Sequence, residues 1–263
     1  MTAGFSEDFV EADGFRIRYL AGGDGPPLVH LHGAGGLRLN PAHDLIARQF
    51  RVVAFEMPGF GNSAENQRTR DLPDLAATMA RAIDRLGLEA FSLMGTSFGA
   101  RVALWLALQQ PERVSALVLD APAAIRPQGA VPPSGSPEEM ARRLYAHPER
   151  QPALPRPDPG VEAKTRALVA RLRGPDRDPD LERQLPGLTA PVLVLFGTLD
   201  AVIPPEMGRH YKELLPNAHL VFIYDAGHAI GSDRPEAFAE VVTDFLERGE
   251  AFIISRGETV IYP

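Results

Sequence analysis

The chain has 263 residues, of which 44% are hydrophobic and 23% charged, so a sizeable core can form and disorder over the whole length is excluded. Its 27 basic and 34 acidic side chains leave a formal net charge of -7, the wrong sign for affinity built on neutralising phosphates, so nucleic acid is not an expected partner. The absence of Cys removes disulfides and thiolate metal sites. No apolar run approaches the roughly 18 residues that span a bilayer. Glu7 and Asp8 stand where a signal peptide would be basic and then apolar. The expectation is a soluble cytoplasmic protein.

In chain order, Phe9 to Glu11 and Phe15 to Ala21 flank Asp13-Gly14, a turn dipeptide that predicts an opening antiparallel hairpin. Strand-like runs follow at Leu28 to His32, Arg51 to Phe55, Phe91 to Met94, Ala116 to Leu119, Val192 to Phe196 and Leu220 to Tyr224. They are rich in Val, Leu and Phe without clean alternation, as strands buried on both faces should be. Leu75, Met79, Ile83 and Leu86 mark a helix with Asp71 or Asp74 as N-cap and Gly87 as its stop. Ala100 to Leu108 is apolar nearly all round, apart from Arg101, and predicts a central helix buried on most sides. Met207 to Leu215 and Pro235 to Glu247 read as later helices. Short apolar blocks separated by amphipathic stretches point to an α/β fold with a parallel sheet covered by helices.

Residues 121–190 break that rhythm with 13 of the 25 Pro. They read as an insertion, with helices at Pro137 to Ala146 and Val161 to Arg173 and a connector from Pro148 to Pro159. Basic residues outnumber acidic ones there by 11 to 9, so any preference for anions would sit in the insert. A solvated helical surface is the plainer reading.

The pentapeptide Gly95-Thr96-Ser97-Phe98-Gly99 lies between a strand-like run and the buried helix. It fits G-x-S-x-G in the strand-turn-helix context that gives the pattern its meaning. A serine hydroxyl is a poor nucleophile. A sharp turn exposes it, and the helix N-terminus favours its developing charge. The competing reading is a Gly-rich turn in which Ser97 only caps the helix. Such a nucleophile needs a base, and His228 sits in a Gly-containing loop after the last strand-like run. The orienting acid should follow a strand between the two, as Asp200 does. Asp120, ending the sixth run, is the alternative acid. An oxyanion hole needs backbone donors. The Gly-rich loop His32-Gly33-Ala34-Gly35-Gly36 offers the Ala34 N–H and the residue after the nucleophile offers the Phe98 N–H.

With these residues in order, the chain resembles the α/β-hydrolase family over nearly its whole length, including Glu56-Met57-Pro58-Gly59-Phe60-Gly61-Asn62-Ser63. The resemblance implies an eight-stranded, mostly parallel sheet flanked by helices, with a small helical Pro-rich cap inserted after strand 6. Residues 1–120 and 191–263 would form the core and 121–190 the cap. It also implies two-step hydrolysis of a small acyl substrate through an acyl-enzyme, with Ser97, Asp200 and His228 catalytic, Gly33 and Ile230 lining the substrate pocket, and no metal or organic cofactor.

Three residues stand apart from the family pattern. Glu56 replaces the usual Asp and reads as structural. Arg101 is expected to pair with Glu56 or another surface acid. His30 is expected to be a packed core residue. The serine argues against epoxide and carbon-halogen cleavage, whose relatives use a carboxylate there. Carboxylic ester hydrolysis leads, and carbon-carbon bond hydrolysis of ring-cleavage products is the alternative, although its usual aromatic residue after the catalytic His is Ala229 here. A perhydrolase or haloperoxidase activity would use the same triad, and a non-catalytic ligand binder of the same fold is the remaining class. The apolar tail at 251–263 reads as a hairpin or edge strands that fold back on the domain or join two copies in a homodimer.

Overall fold

The computed structural model describes residues 4–131, 134–152 and 158–249. Asp13 and Gly14 both take left-handed φ, 53° and 72°, as a two-residue hairpin turn requires. They join β1 (Ser6–Ala12) to β2 (Phe15–Gly22), with Ala12 opposite Phe15. The chain continues through β3 (Pro27–Leu31), α1 (Pro41–Ile46), β4 (Arg51–Glu56), α2 (Leu72–Arg85), β5 (Phe91–Thr96), α3 (Phe98–Gln109) and β6 (Val114–Asp120). Between β6 and the next strand lie α4 (Pro137–Leu144), α5 (Pro159–Arg171) and α6 (Pro179–Gln184). Then come β7 (Val192–Gly197), α7 (Gly208–Leu214), β8 (Ala218–Ile223), α8 (Ile230–Asp233) and α9 (Pro235–Arg248).

The strands form one eight-stranded sheet in the order β1-β2-β4-β3-β5-β6-β7-β8. β2 runs antiparallel to β1 and β4, and all other neighbours pair in parallel. This is the α/β fold expected from the sequence. From β3 the order steps outward to β4, and from β5 it steps the other way, which opens a crevice at the carboxyl ends of β3 and β5.

The strands lack clean alternation because both faces are covered. Val29, Leu31, Val53, Phe55, Leu93, Leu117 and Val194 point to a core shared with α2 and α3. Their chain neighbours Leu28, Val52, Met94, Val118, Leu193 and Leu195 point to a second core with residues of α1 and α9, including Ile46, Phe238, Val242 and Phe245. Period-two geometry thus sorts one apolar run into two cores. Asp71 caps α2 by accepting from the Asp74 N–H, and Gly87 follows its end at φ 70°.

α3 lies so close to the sheet that a Cβ on Gly99 would stand 2.1 Å from the Leu31 carbonyl oxygen. The atoms it would meet are all backbone of Leu31 and His32, which leaves no flexible side chain to give way. Gly99→Ala is expected to destabilise the fold by about 3 kcal/mol, an overpacking cost, and to lower the melting midpoint by roughly 10 °C. Gly35, whose added Cβ would meet nothing within 4 Å, is the control. Equal midpoints for the two alanine variants would refute the packing argument.

The helices α1, α6 and α8 were not anticipated, since six, six and four residues are too few to show a helical period. Two carried a local signal. Asn40-Pro41 and Asp178-Pro179 each place a capping side chain before a Pro in the first turn. The tail reading at 251–263, and with it the homodimer, lies outside the described residues, as do residues 153–157 of the connector. No helix among the described residues is long and apolar enough to cross a membrane.

Candidate active site

Ser97 joins β5 to α3 at φ 52° and ψ -108°, a left-handed strained backbone for a residue with a Cβ. The turn is held from both sides: the Ser97 N–H donates to the Asp120 carbonyl at 2.8 Å and the Ala123 N–H to the Ser97 carbonyl at 3.2 Å. The Ser97 side chain makes no capping hydrogen bond to its own helix, so the capping reading does not hold. Gly33 closes the crevice opposite, where an added Cβ would sit 3.4 Å from the Ser97 Cβ. His32 fixes that loop. Its Nδ1–H donates to the Gly33 carbonyl at 2.7 Å while its Nε2 accepts the Met57 N–H at 3.0 Å. Burial lowers His32 to about 4, so the ring stays neutral and able to make both bonds. Ala34, next in the loop, is exposed, and Phe98 begins α3, whose first-turn N–H groups have no acceptor within the helix.

Asp200 and His228 follow β7 and β8 and meet in space. His228 Nδ1 lies 2.8 Å from Asp200 Oδ2, with the two side chains 7% and 0% exposed. Asp200 Oδ1 in turn accepts the Val202 and Ile203 N–H groups at 2.8 and 2.9 Å. With Nδ1–H given to a buried carboxylate, Nε2 keeps its lone pair and can accept a proton. Asp120, the alternative acid, instead accepts from Thr96 Oγ1 at 2.8 Å. Ser97, Asp200 and His228 thus all stand beyond the carboxyl ends of parallel strands on one edge of the sheet, with Asp120 between β5 and β7.

The segment between β6 and β7 docks on two loops at this edge. At one side Lys164 Nζ donates to the Gly61 and Ser63 carbonyls at 2.7 and 3.1 Å, and Arg171 to those of Thr69 and Asn66 at 3.1 and 2.6 Å. At the other, the Ala229 N–H donates to the Leu144 carbonyl at 2.8 Å. Asp233 Oδ2 gathers the Ala146 and Gly227 N–H groups, both at 2.8 Å. The loop that carries His228 is therefore hydrogen-bonded to the end of α4. Several cations that give the segment its basic excess are used to hold backbone carbonyls.

Residues 28–241 match the model of the alpha/beta hydrolase family. The chain belongs to the alpha/beta hydrolase family. It is 28% identical to a 2-hydroxy-6-oxo-6-(2'-aminophenyl)hexa-2,4-dienoic acid hydrolase from Metapseudomonas resinovorans, over 93% of this chain and 92% of that protein. It is 30% identical to a pimeloyl-[acyl-carrier protein] methyl ester esterase from Vibrio campbellii, over 87% of this chain and 98% of the relative. Its fold matches that of a meta-cleavage product hydrolase from Pseudomonas fluorescens IP01 at a TM-score of 0.80 and 20% identity, over 92% and 97% of the two chains.

Against the expectations for such an alpha/beta hydrolase, two residues need correction. Arg101 does not pair with Glu56. It is buried, and its Nη1 donates to the Leu172 carbonyl at 3.2 Å, tying α3 to the end of α5. Burial, with Arg126 nearby, lowers the guanidinium to about 10. Glu56 is engaged elsewhere: it accepts the Asn62 and Ser63 N–H groups at 2.6 and 3.1 Å and pairs with Arg18 at 3.1 Å, a structural role as expected. Ile230 has no exposed surface and belongs to the core shared with α1 and α9, so it supports the helix after His228 instead of lining an open pocket. His30 is a buried core residue, 4.9 Å from the His43 ring centroid to centroid. Missed by sequence reading was Asp233, five residues past His228, whose latch to the Ala146 N–H and the Gln151 side chain beyond α4 has no sequence signal because these partners are distant in the chain.

Proposed function

We propose that this chain is a serine hydrolase that cleaves a small carboxylic ester in two steps, with Ser97, His228 and Asp200 as its triad. One observation carries the reading. A buried His228–Asp200 pair with a free Nε2 shares a sheet edge with a serine whose hydroxyl its own helix does not use. In the first step His228 Nε2 takes the Ser97 proton as Oγ attacks the ester carbonyl. The oxyanion accepts the N–H groups of Ala34 and Phe98. The imidazolium, balanced by Asp200, then gives its proton to the leaving alcohol and an acyl-Ser97 remains. Water, deprotonated by His228, releases the acid and restores the serine. Gly33 borders the reacting centre, and residues 121–190 act as a cap over it.

Relatives of both chemistries are similar to this chain, so carbon-carbon hydrolysis of a ring-cleavage product is the second reading. It calls for a cation free to take a substrate carboxylate. Arg126, Arg171 and Arg173 of the insert donate to backbone carbonyls, which leaves Arg142 and Arg143 of α4 for that task, and Ala229 stands after His228 where that chemistry usually has an aromatic residue, which favours the ester. The test is incubation with a fluorophosphonate and peptide mapping. An adduct at Ser97, lost in Ser97→Ala, is the expected result. A folded protein that takes no adduct overturns the reading and leaves a ligand-binding role.

A further inference from the structure

A run of buried polar groups lies beneath the elbow and has no part in the steps above. His43 Nε2 meets His30 Nδ1 at 3.1 Å, His30 Nε2 meets Thr96 Oγ1 at 3.1 Å, and Thr96 Oγ1 meets Asp120 Oδ2 at 2.8 Å. At the far end His43 Nδ1 lies 3.1 Å from the Asn40 N–H and 2.9 Å from Asn40 Oδ1. His30, His43 and Asp120 are all more than nine-tenths buried. Desolvation lowers His43 to about 4 and His30 well below its usual value, so both rings stay neutral, each with one donor and one acceptor.

That constraint gives the run two self-consistent polarities. With Asp120 ionised, Thr96 donates to it, His30 Nε2–H donates to Thr96, His43 Nε2–H donates to His30, and His43 Nδ1 accepts the Asn40 N–H. With Asp120 neutral, every donor reverses: Asp120 donates to Thr96, and the last bond runs from His43 Nδ1–H to Asn40 Oδ1. Asn40 offers the donor and the acceptor that the two states need. The carboxyl of Asp120 is thus supported whether or not it holds a proton. Its other oxygen, Oδ1, is buried with no partner, which is costly for a group that serves only to pack.

We propose that Asp120 is a second acid of the site, a positioning residue that acts through His228 by balancing the imidazolium formed when Ser97 is deprotonated. This rests on the serine-hydrolase reading. Asp120 ends β6 between β5, whose Thr96 it bonds with His30 of β3 behind, and β7, after which stand Asp200 and its partner His228, the other charged groups that act on it. Burial raises Asp120 to about 6, Thr96 and His228 draw it down, and Asp200 pushes it up. An ionised Asp120 favours the charged form of His228 and a neutral one does not. The site therefore gains rate as Asp120 loses its proton.

The test compares wild type with Asp120→Asn, which keeps an oxygen for the Thr96 hydroxyl but no charge. Turnover of a short-chain p-nitrophenyl ester is followed from pH 5 to pH 9, with fluorophosphonate labelling of each protein. Wild type is expected to show an inflection near 6, and Asp120→Asn to lack it, with kcat at pH 8 lower by about tenfold, the size of one pKa unit of interaction. Thr96→Val, which removes the donor and leaves the carboxyl, should move the inflection to higher pH. If wild type labels at Ser97 and Asp120→Asn matches its kcat and profile, the second acid is refuted and the hydrolase reading stands. Should Asp120→Asn not fold, an unmoved inflection in Thr96→Val refutes it. No labelling of wild type removes both.

Discussion

Ser97→Ala is expected to lower kcat on a p-nitrophenyl ester by about a millionfold, the loss found when the nucleophile of a Ser-His-Asp site is removed. The reason lies in how the proposed triad shares its work. Without Oγ there is no acyl-enzyme, and the proton-accepting Nε2 of His228 has nothing to deprotonate except water held at random. The oxyanion donors and substrate binding still act, so a residual acceleration over the uncatalysed reaction should survive and KM should change little. The fold should survive too, because Ala at φ 52° bears the same backbone strain as Ser and the serine side chain caps nothing. Circular dichroism and a melting curve would establish that the variant is folded before its rate is read. Ser92, part-exposed and paired with Ser115 at 3.2 Å, is a suitable control, and its alanine variant should turn over normally. A folded Ser97→Ala variant within tenfold of wild type would end the nucleophile assignment.

Asp200→Asn is expected to cost about ten-thousandfold in kcat, through the tautomer of His228 and not through charge alone. Asp200 Oδ1 accepts two backbone N–H groups, from Val202 and Ile203. An amide at this position would keep its carbonyl oxygen on those donors and turn its NH2 toward His228. His228 Nδ1 must then accept, which puts the ring proton on Nε2, and Nε2 can no longer take a proton from Ser97. The geometry thus predicts which way the amide faces as well as the loss. The measurement is kcat across pH for Asp200→Asn beside Asp120→Asn. A loss below tenfold in the first would pass the orienting role to Asp120, against the 2.8 Å contact of Asp200 with His228.

How much of this was legible before the fold was seen depended on whether the deciding interaction was local. The hairpin at Asp13-Gly14, a cap at Asp71 or Asp74, which the structure gives to Asp71, and the eight strands were readable because turn chemistry, capping and apolar runs act over a few neighbouring residues. So was the placing of Ser97 between a strand and a buried helix. The short helices α1 and α8 escaped because four to six residues hold no period, and their stability comes from packing against α9.

The amino-acid sequence by itself determined the α/β class, the strand order along the chain and the small set of residues from which a hydrolase site could be built. Only the tertiary structure decided between the two carboxylates that end neighbouring strands, giving Asp200 to His228 and Asp120 to Thr96. It also moved Arg101 from an exposed ion pair to a buried backbone carbonyl, and Ile230 into the core. The physical reason is common to all three. Each choice rests on a contact between residues far apart in the chain, set by strand register, helix rotation and loop closure, and a carboxylate, guanidinium or apolar side chain has the same local sequence whichever distant partner it meets.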